Sequence, residues 1–494
     1  MESTNLTKLH YGQRYRIDEI ALHDGPTLQQ ELHTTCATSG EVAAISGKRA
    51  GGGIDTWGAF HFPGMQSLLL CHGTLPMEFP SLTPHFPELH FFERELAEEL
   101  GARPLGHPWL TPVRTLPGRG VDDAQGWRWG RVEGRAVHEV ALGPVHAGTI
   151  EPGHFRFQCS GERVLHLEIA LGYQHRGIGA ALLGGPTVRT PHLIETAAGD
   201  STIGHMVAYA QVIEALSGCV IPSRAQALRA AALELERLTN HIGDIGALAA
   251  DVAFQPTAAI CGRLRGDALN MTARLCGNRF GRALIRPGGV RFEASAEDVD
   301  VLRTTLEDVK EQVLAATELF LDHSIARSRL EETGILDATA CEQLGIVGPP
   351  ARAAGIPQDV RHDLPDGPYA TVRPALVTQK GGDALARVTQ RLDEVRASID
   401  YLQSSLSRLP RNRHATDCGP IAPNSVTATA VEGWRGRICH LAVTDENARF
   451  AHYKIVDPSC FNWAGLSRAM RGQEISDFPL CNKSFNLSYC GHDL

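Results

Sequence analysis

The sequence lacks the long apolar runs and basic clusters that would tie a chain directly to a bilayer or to nucleic acid. No window approaches about 18 uninterrupted apolar residues, and the N-terminus has no basic segment followed by an apolar one. The 494 residues carry a net charge of −9, and their Lys and Arg residues form no dense patch. We therefore expect no membrane span, no signal peptide and no nucleic-acid partner.

The sequence also lacks the spacings that announce a metal site or a nucleotide site. Its 12 cysteines are scattered, without a Cys-x-x-Cys pair or a Cys–His cluster at zinc spacing, which predicts mostly buried free thiols. The run Gly177-Ile178-Gly179 lacks the third glycine of a dinucleotide fingerprint. A Walker motif, a nucleophile elbow and a His-Glu-x-x-His helix are absent as well.

The chain is long enough for more than one domain, and its pattern predicts an α+β protein. We predict a small α/β domain at 1–120, a polar and glycine-rich linker at 121–137, and a large, mainly helical domain at 138–494. In the first domain, Phe92 and Leu96 lie on the apolar face of a predicted helix, whose Glu95 is expected to face water.

The large domain is predicted to open with a hairpin and to continue as a helical bundle. The turn Ser160-Gly161 separates two segments of alternating polarity. Ser223 is expected to cap a long helix, and two more long helices are predicted at 296–332 and 382–409. Residues 412–494 are expected to wrap this bundle as loops and short strands.

Three groups of polar residues are candidates for chemistry. In the loop GYQHRG, His175 beside Arg176 can give a hydrogen bond or a proton to a developing oxyanion, although the pair also fits a surface turn. On the long helix, His241 and Asp244 fit structural pairing better than catalysis. The third group lies in GNRFGRALIRPGGV, predicted as a helix running into a turn. Its arginines can clamp acidic groups of a partner or of this chain, and they are Arg279, Arg282 and Arg286.

Together these motifs resemble one family over roughly residues 138–494. The segments HEVALGPVHAGTIEPGHFRFQ, GYQHRG, ALRAAALELERLTNHIGDIGALAAD, GNRFGRALIRPGGV and GIVGPPARAAG occur in the family's order. They resemble the large subunit of membrane-bound, energy-converting (group 4) nickel–iron hydrogenases and, equally, the quinone-site large subunit of respiratory complex I. Upstream, PSLTPHFPELHFFERELAEELGARPLGHP resembles a shortened complex I partner subunit, a fusion similar to the large component of hydrogenase-4 complexes.

The first metal-binding motif of these hydrogenases, Glu-x-x-Cys-Gly-x-Cys-x-x-x-His, falls on ETAAGDSTIGH. Glu195, Gly199 and His205 are kept, whereas Ala198 and Ser201 stand where two thiolates are required. An alanine offers no donor and a serine hydroxyl stays protonated at neutral pH, so a soft nickel–iron site loses half of its ligands.

The second motif, Asp-Pro-Cys-x-x-Cys, falls on NLSYCGHD near the C-terminus. Asn486 and Leu487 replace Asp-Pro, Ser488 and Gly491 occupy the cysteine positions, and Cys490 is one residue out of register. We therefore expect no metal and no hydrogenase activity. By the resemblance, the cavity walls include Glu195, His205, Asp244, Arg286, Arg361 and Asp363.

The resemblance implies a subunit of a hetero-oligomeric redox complex, peripheral on the cytoplasmic side of a membrane. An iron–sulfur small subunit would bring electrons to an acceptor, with quinone possible, at the former cavity, where His175 donates a proton beside Arg176. Antiporter-like membrane subunits would move ions, and any NAD(P)H would bind elsewhere. Hydrogenases carry the same loop, so His175 alone fits quinone and proton chemistry alike. The alternative is a non-catalytic scaffold with no tightly bound cofactor.

Overall fold

A computed structural model describes residues 6–114, 129–146, 148 and 150–494. Helices and sheets are mixed throughout this part of the chain, which confirms the mixed α and β class. Within the same residues, no helix is both long enough and apolar enough to cross a membrane.

The N-terminal region is built around a sheet of order β1-β6-β5-β4, with β3 added in parallel to β6. Helix α1 (Gly25–Ala37) begins after the cap Asp24, and helix α2 (His90–Leu100) packs against β4. The strands are β1 (Thr7–Leu9), β2 (Tyr15–Arg16), β3 (Leu22–His23), β4 (Glu41–Ala50), β5 (Gly53–His61), β6 (Leu68–Pro76), β7 (Glu78–Pro80) and β8 (Arg103–Leu105).

Helix α2 is the predicted amphipathic helix, and it ends at Gly101, whose φ of 69° favours glycine. Phe92 and Leu96 are buried as predicted. The prediction for Glu95 was wrong, because this carboxylate is buried between the positive groups of Arg114 and Lys454. Burial would raise the pKa of Glu95, but these two cations lower it to about 2.

The predicted hairpin is also present, within a sheet of order β11-β10-β9. Its turn follows Ser160, which pairs with Arg163. One face of the sheet packs Phe155 and Phe157 against the C-terminal helices. The strands are β9 (Val137–Leu142), β10 (His154–Ser160) and β11 (Arg163–Ala170).

Eleven α-helices lie between residues 178 and 407, and the longest of them form the bundle. The eleven helices are α3 (Ile178–Leu182), α4 (Thr190–Glu195), α5 (Thr202–Ser217), α6 (Ser223–Asp251), α7 (Gln255–Cys276), α8 (Ala296–Asp322), α9 (Ser324–Leu330), α10 (Ala338–Leu344), α11 (Pro349–Ala353), α12 (Val360–Asp363) and α13 (Ala384–Ser407).

The bundle matches the predicted long helices with three corrections. Pro222, not Ser223, is the N-cap of α6. The predicted helix at 296–332 is two helices, because the chain leaves helical geometry at His323, which caps α9. The segment at 278–290 is a turn with the short strands β12 (Ile285–Arg286) and β13 (Gly289–Val290), not a helix.

Residues 412–494 contain strands, as predicted, but these strands form a buried central sheet and do not wrap the bundle. Strands β14 (Ser425–Gly433), β15 (Gly436–Thr444) and β16 (Phe450–Val456) pair in the order β16-β15-β14-β2. Both faces of this sheet are buried, and three helices follow it. They are α14 (Ser459–Ala469), α15 (Phe478–Phe485) and α16 (Tyr489–Asp493).

The central sheet joins the N-terminal region to the helical bundle. On one face, Leu441 and Val443 belong to the same hydrophobic core as the N-terminal sheet. On the other face, Ile438 and Ala442 pack into the bundle. The division into domains at 1–120 and 138–494 stays a prediction, and residues 121–128 of the expected linker lie outside the described residues.

Candidate functional site

The loop that carries His175 lies between β11 and α3 and is held by the C-terminus of the chain. The carboxylate of Asp493 accepts hydrogen bonds from the backbone N–H groups of Gly172 (2.8 Å) and Gln174 (3.1 Å). Nδ1 of His175 lies 2.7 Å from the backbone oxygen of Asp493. Because a carbonyl only accepts, Nδ1 carries a proton, and Nε2 is the ring nitrogen that can meet a ligand.

The side chain of Arg176 is directed toward the backbone of neighbouring segments of the chain. Its guanidinium donates to the backbone oxygens of Thr196, Ala197 (3.1 Å) and Cys490 (3.0 Å). The first two belong to the segment of the first metal motif, and Cys490 belongs to the second. Arg176 therefore fastens the two motif segments to each other, and a direct role toward an acceptor stays a prediction.

A second arginine, Arg435, connects the same two segments from inside. It sits in the turn between β14 and β15 and is buried. Its guanidinium pairs with Asp200 (2.5 and 2.7 Å), reaches Ser201 Oγ at 3.5 Å and donates to the backbone oxygen of Asn486 at 2.5 Å. Burial opposes the charge of Arg435, but Asp200 raises its pKa above the usual value. Asp200 and Ser201 of the first motif segment are thus joined to the C-terminal motif by a cation of the protein itself.

At Gly491, the space for a ligand side chain is occupied. A Cβ atom there would lie 2.7 Å from Cγ and 2.9 Å from Oδ2 of Asp457, and 2.9 Å from Oγ of Ser488. Asp457 cannot move away freely, because Nε2 of His205 lies 3.1 Å from its Oδ2 and the backbone N–H of Ser459 donates to its Oδ1 at 2.8 Å. A cysteine at 491 would therefore collide with a fixed carboxylate.

The hydrogen bonds around Asp457 continue into the central sheet. Nδ1 of His205 lies 3.2 Å from Nε2 of His440, whose Nδ1 lies 2.9 Å from the hydroxyl of Tyr453. Burial would raise the pKa of Asp457, but the hydrogen bond from His205 and the charge of Arg435 lower it. Burial and the neighbouring His205 hold the pKa of His440 well below its usual value. Every group in this series has a hydrogen-bond partner when Tyr453 donates to His440, His440 donates to His205, and His205 donates to the carboxylate.

Ser488, which stands at the first cysteine position of the second motif, caps a helix. Its Oγ accepts from the backbone N–H of Gly491 at 2.9 Å, at the start of α16. The Cys490 thiol, 3.4 Å from this hydroxyl, has its pKa raised to about 11 by burial. Burial also raises the pKa of Cys481 to about 11. Both thiols therefore stay protonated at neutral pH, whereas a soft metal binds the deprotonated thiolate.

The expected wall residues divide into two groups. Glu195, His205 and Asp244 lie at the site: Glu195 accepts from the backbone N–H of Ala283 at 2.6 Å, and Asp244 accepts from Asn486 at 2.5 Å. Asp244 also pairs with Arg391 at 2.7 Å, so His241 is not its partner.

The second group makes its contacts elsewhere. Arg286 pairs with the exposed Asp417 at 2.8 Å, and Arg361 pairs with Asp359 and Glu234 inside the bundle. Asp363 accepts from the backbone N–H of the same Asp359 at 2.9 Å, at the edge of another cavity. Across the residues that the structure describes, no group of three or more His, Cys, Asp or Glu side chains could hold a metal ion. The residues at the former cluster do not fit nickel and iron.

Sequence reasoning missed Arg435, Asp457 and Asp493. Each acts on a partner more than 200 positions away in the chain, so no local spacing marks them. Only Asp493 could have been noticed from the sequence, because it lies two residues after Gly491 in the segment that matches the family's second metal motif.

Comparison with known proteins shows similarity to subunits of two kinds of redox complex. Residues 251–424 match the family described as respiratory-chain NADH dehydrogenase, 49 Kd subunit. Formate hydrogenlyase subunit 5 of Escherichia coli (strain K12) is 26% identical over 435 residues, covering 83% of this chain and 76% of that protein. The carbon monoxide-induced hydrogenase of Rhodospirillum rubrum is 27% identical, covering 71% of this chain and 98% of that protein.

A respiratory relative matches as well. An NADH-quinone oxidoreductase subunit of Solibacter usitatus (strain Ellin6076) is 27% identical over 338 residues, covering 68% of this chain and 91% of that protein. The matches thus come from both branches that the sequence motifs indicate. The chain is thus similar both to the large subunits of membrane-bound hydrogenases and to those of NADH-quinone oxidoreductases, which agrees with the resemblance to group 4 hydrogenases and respiratory complex I.

Proposed function

We propose that this chain is the large subunit of a hetero-oligomeric, membrane-associated redox complex that reduces an acceptor of the quinone class beside His175. Its relatives include subunits of formate hydrogenlyase and of NADH-quinone oxidoreductase. An iron–sulfur partner subunit supplies the electrons, and membrane subunits couple their flow to ion translocation. The chain itself is peripheral, on the cytoplasmic side of the membrane.

The observation that carries the proposal is the orientation of His175. Its Nδ1 is fixed on the backbone oxygen of Asp493 at 2.7 Å, so only Nε2 can face an acceptor. Neutral imidazole has no proton at Nε2 in this tautomer, and the imidazolium does. His175 therefore donates to an acceptor carbonyl in its protonated form and is reprotonated from solvent.

The filled centre restricts where an acceptor lies. Arg435 with Asp200, and Asp457 with His205, occupy the region of the former ligand positions. An acceptor ring consequently lies at the rim, next to His175, and not in the place of the metals. Reduction of one quinone to quinol takes two electrons from the partner and two protons, one of which passes through Nε2 of His175.

The test uses the purified complex and a soluble quinone analogue. His175→Asn keeps an N–H near the Nδ1 position, to bond Asp493, but removes the donor at Nε2. We expect it to lower the turnover number about 10²-fold or more, the usual contribution of a general acid. His175→Gln, whose amide reaches the Nε2 position, should recover part of the rate.

The control variant is His138→Ala, because this side chain is exposed on β9. It should leave both turnover and subunit assembly unchanged. Full turnover in His175→Asn would remove this residue from the mechanism.

The filled centre favours a second candidate function, a non-catalytic scaffold that joins the iron–sulfur subunit to the membrane subunits. Arg435, which contacts Asp200 and the backbone oxygen of Asn486, holds the two motif segments together without any ligand. The scaffold predicts normal assembly of the complex, no binding of the analogue and no reduction of it. Detectable turnover that depends on His175 decides for the first function.

A further inference from the structure

A second region of interest is a cavity of about 740 Å³ between the N-terminal region, β11 and α14. Its walls are mostly apolar and include Pro87, Leu167, Leu171, Leu344 and Trp463. A volume of this size and an apolar lining are typical of small-molecule sites, which favour the boundary between two parts of a fold. The cavity meets the region of the former metal cluster only at His492 and Cys460, and its other walls belong to the N-terminal region, β11, α10 and α14.

Arg94 lines this cavity as a buried cation without a carboxylate partner. Its side chain is 5% exposed, donates to the backbone oxygens of Thr111 (2.8 Å) and Pro112 (2.7 Å), and stacks over the ring of Trp109 at 4.2 Å. Within the described ranges, no carboxylate lies within 4.0 Å of its guanidinium. Burial lowers the pKa of Arg94 to about 10, so the charge remains at neutral pH. Buried charges are normally paired, and this one faces an open volume.

His107 adds a hydrogen-bond donor at the same end. Its Nδ1 accepts from the backbone N–H of Trp109 at 3.1 Å, which places the ring proton on Nε2. The side chain is 1% exposed, and Nε2 has no hydrogen-bond partner. Burial and the charge of Arg94 lower the pKa of His107 to about 4, against the effect of the His90 carbonyl, so the ring is neutral at pH 7. The nearby His90 carbonyl makes no hydrogen bond of normal geometry with Nε2, so a ligand oxygen can still accept from this N–H.

The carboxylates near these two groups are already engaged. Glu93, whose Oε2 lies 3.9 Å from Nε2 of His107, accepts three hydrogen bonds from residues 81–83. Glu168 accepts from Trp109 Nε1 at 3.2 Å and from the backbone N–H of Gly130 at 2.9 Å. Both carboxylates already accept hydrogen bonds from other groups, so neither is free to pair with Arg94 or His107.

The exposed end of the cavity is also positive. Arg468 and Arg471 lie one turn apart on and just after α14, both exposed and without an ion pair in the part of the chain that the structure describes. Partial burial and the charge of Arg468 lower the pKa of Arg471, which shows that the two cations lie close to each other. Such a pair attracts anions to the entrance.

We infer that this cavity binds a free amphipathic anion, a single apolar chain that carries a carboxylate or phosphate. The anionic group lies at Arg94 and His107, and the apolar part lies along Leu167 and Trp463. Because the receiving groups are at the buried end, a bilayer lipid would have to leave its membrane and enter head first. The ligand is therefore a monomeric amphiphile and not a lipid that stays in the bilayer.

Calorimetry on the purified full-length chain tests this with decanoate, decanol and inorganic phosphate as probes. We expect 1:1 binding of decanoate, at least about tenfold stronger than binding of either decanol or phosphate, because a charge-assisted hydrogen bond and apolar burial are both required. Arg94→Gln should abolish the preference for decanoate over decanol. The exposed Arg263, paired with Asp267, provides the control Arg263→Gln, which should change nothing.

A second variant keeps the test valid if Arg94→Gln fails to fold. Ala464 lines the cavity on α14 and is partly exposed, so Ala464→Phe should fill the volume without unfolding the chain and weaken decanoate about tenfold or more. Equal affinities for decanoate and decanol, undiminished binding in Ala464→Phe, or association only with phosphatidylglycerol vesicles would each overturn the inference.

Discussion

The former metal centre and the cavity beside α14 both adjoin helix α16, the centre at Gly491 and the cavity at His492. They differ in whether their buried charged groups are paired. At the centre, Arg435 pairs with Asp200, and Asp457 pairs with His205. In the cavity, Arg94 has no carboxylate partner among the described residues and His107 keeps an unsatisfied N–H. The centre has replaced a ligand by side chains of the protein, whereas the cavity has kept groups that a ligand can satisfy.

The comparison shows why a lost metal site need not leave a hole. Removing thiolates also removes the charge of the metals, and the remaining carboxylates then need new cations and donors. Arg435 supplies a cation to Asp200, and His205, which the motif keeps, contributes a hydrogen bond to Asp457. The same reasoning identifies Arg94 as unusual, because Glu98 and Glu168 act on its charge only from beyond ion-pair distance and no described carboxylate lies within 4.0 Å of it.

The largest expected effect is on stability, and it compares the two arginines directly. Arg435→Met leaves Asp200 without its cation and the oxygen of Asn486 without a donor, which should lower the free energy of unfolding by about 3 kcal/mol. Arg94→Met removes no ion pair and should cost only about 1–2 kcal/mol. Urea unfolding followed by tryptophan fluorescence measures both, and an Arg94 cost that equals or exceeds that of Arg435 would break the comparison.

A smaller effect is expected when a thiol is returned to one former ligand position. Gly491→Cys forces a side chain against Asp457 and should lower the free energy of unfolding by about 2 kcal/mol. Gly199 lies in the other motif segment with no atom within 4 Å of its Cβ position, so Gly199→Cys should change stability by less than about 0.5 kcal/mol. Equal stabilities of the two variants would mean that the centre is open after all.

The smallest effect concerns the cap that replaced a ligand. Ser488→Ala removes the acceptor for the N–H of Gly491 and should cost about 1 kcal/mol. Ser201→Ala removes only the 3.5 Å contact with Arg435 and should cost less than about 0.5 kcal/mol. Hydrogen exchange at the Gly491 amide should accelerate in the first variant and stay slow in the second. Unchanged exchange in Ser488→Ala would contradict the capping role.

The sequence predicts the local features of this fold well. The hairpin at Ser160, the helix carrying Phe92 and Leu96, and the long helix α6 each have a periodic pattern and a turn or cap residue within a few positions. The family motifs also indicate that the segments around Ser201 and Asn486 meet, and both contact Arg435.

Features that depend on distant partners could not be predicted in this way. Glu95 has the spacing of an exposed helix position, but its cation Lys454 lies 359 residues later in the chain. The strands β14 and β15 are buried on both faces, although the sequence of β14, SVTATAVEG, alternates polar and apolar residues as a strand with one exposed face would. The occupation of the former metal site could not be predicted either, because Asp457 and Arg435 come from the central sheet and lie far from both motifs in the sequence.

Elemental analysis of the purified complex tests the central claim most directly, since that claim is that residues of the protein itself occupy the former nickel–iron site. We predict no nickel above background, while the iron content equals that of the iron–sulfur partner alone. One nickel per chain, lost on substitution of Cys490, would contradict the account.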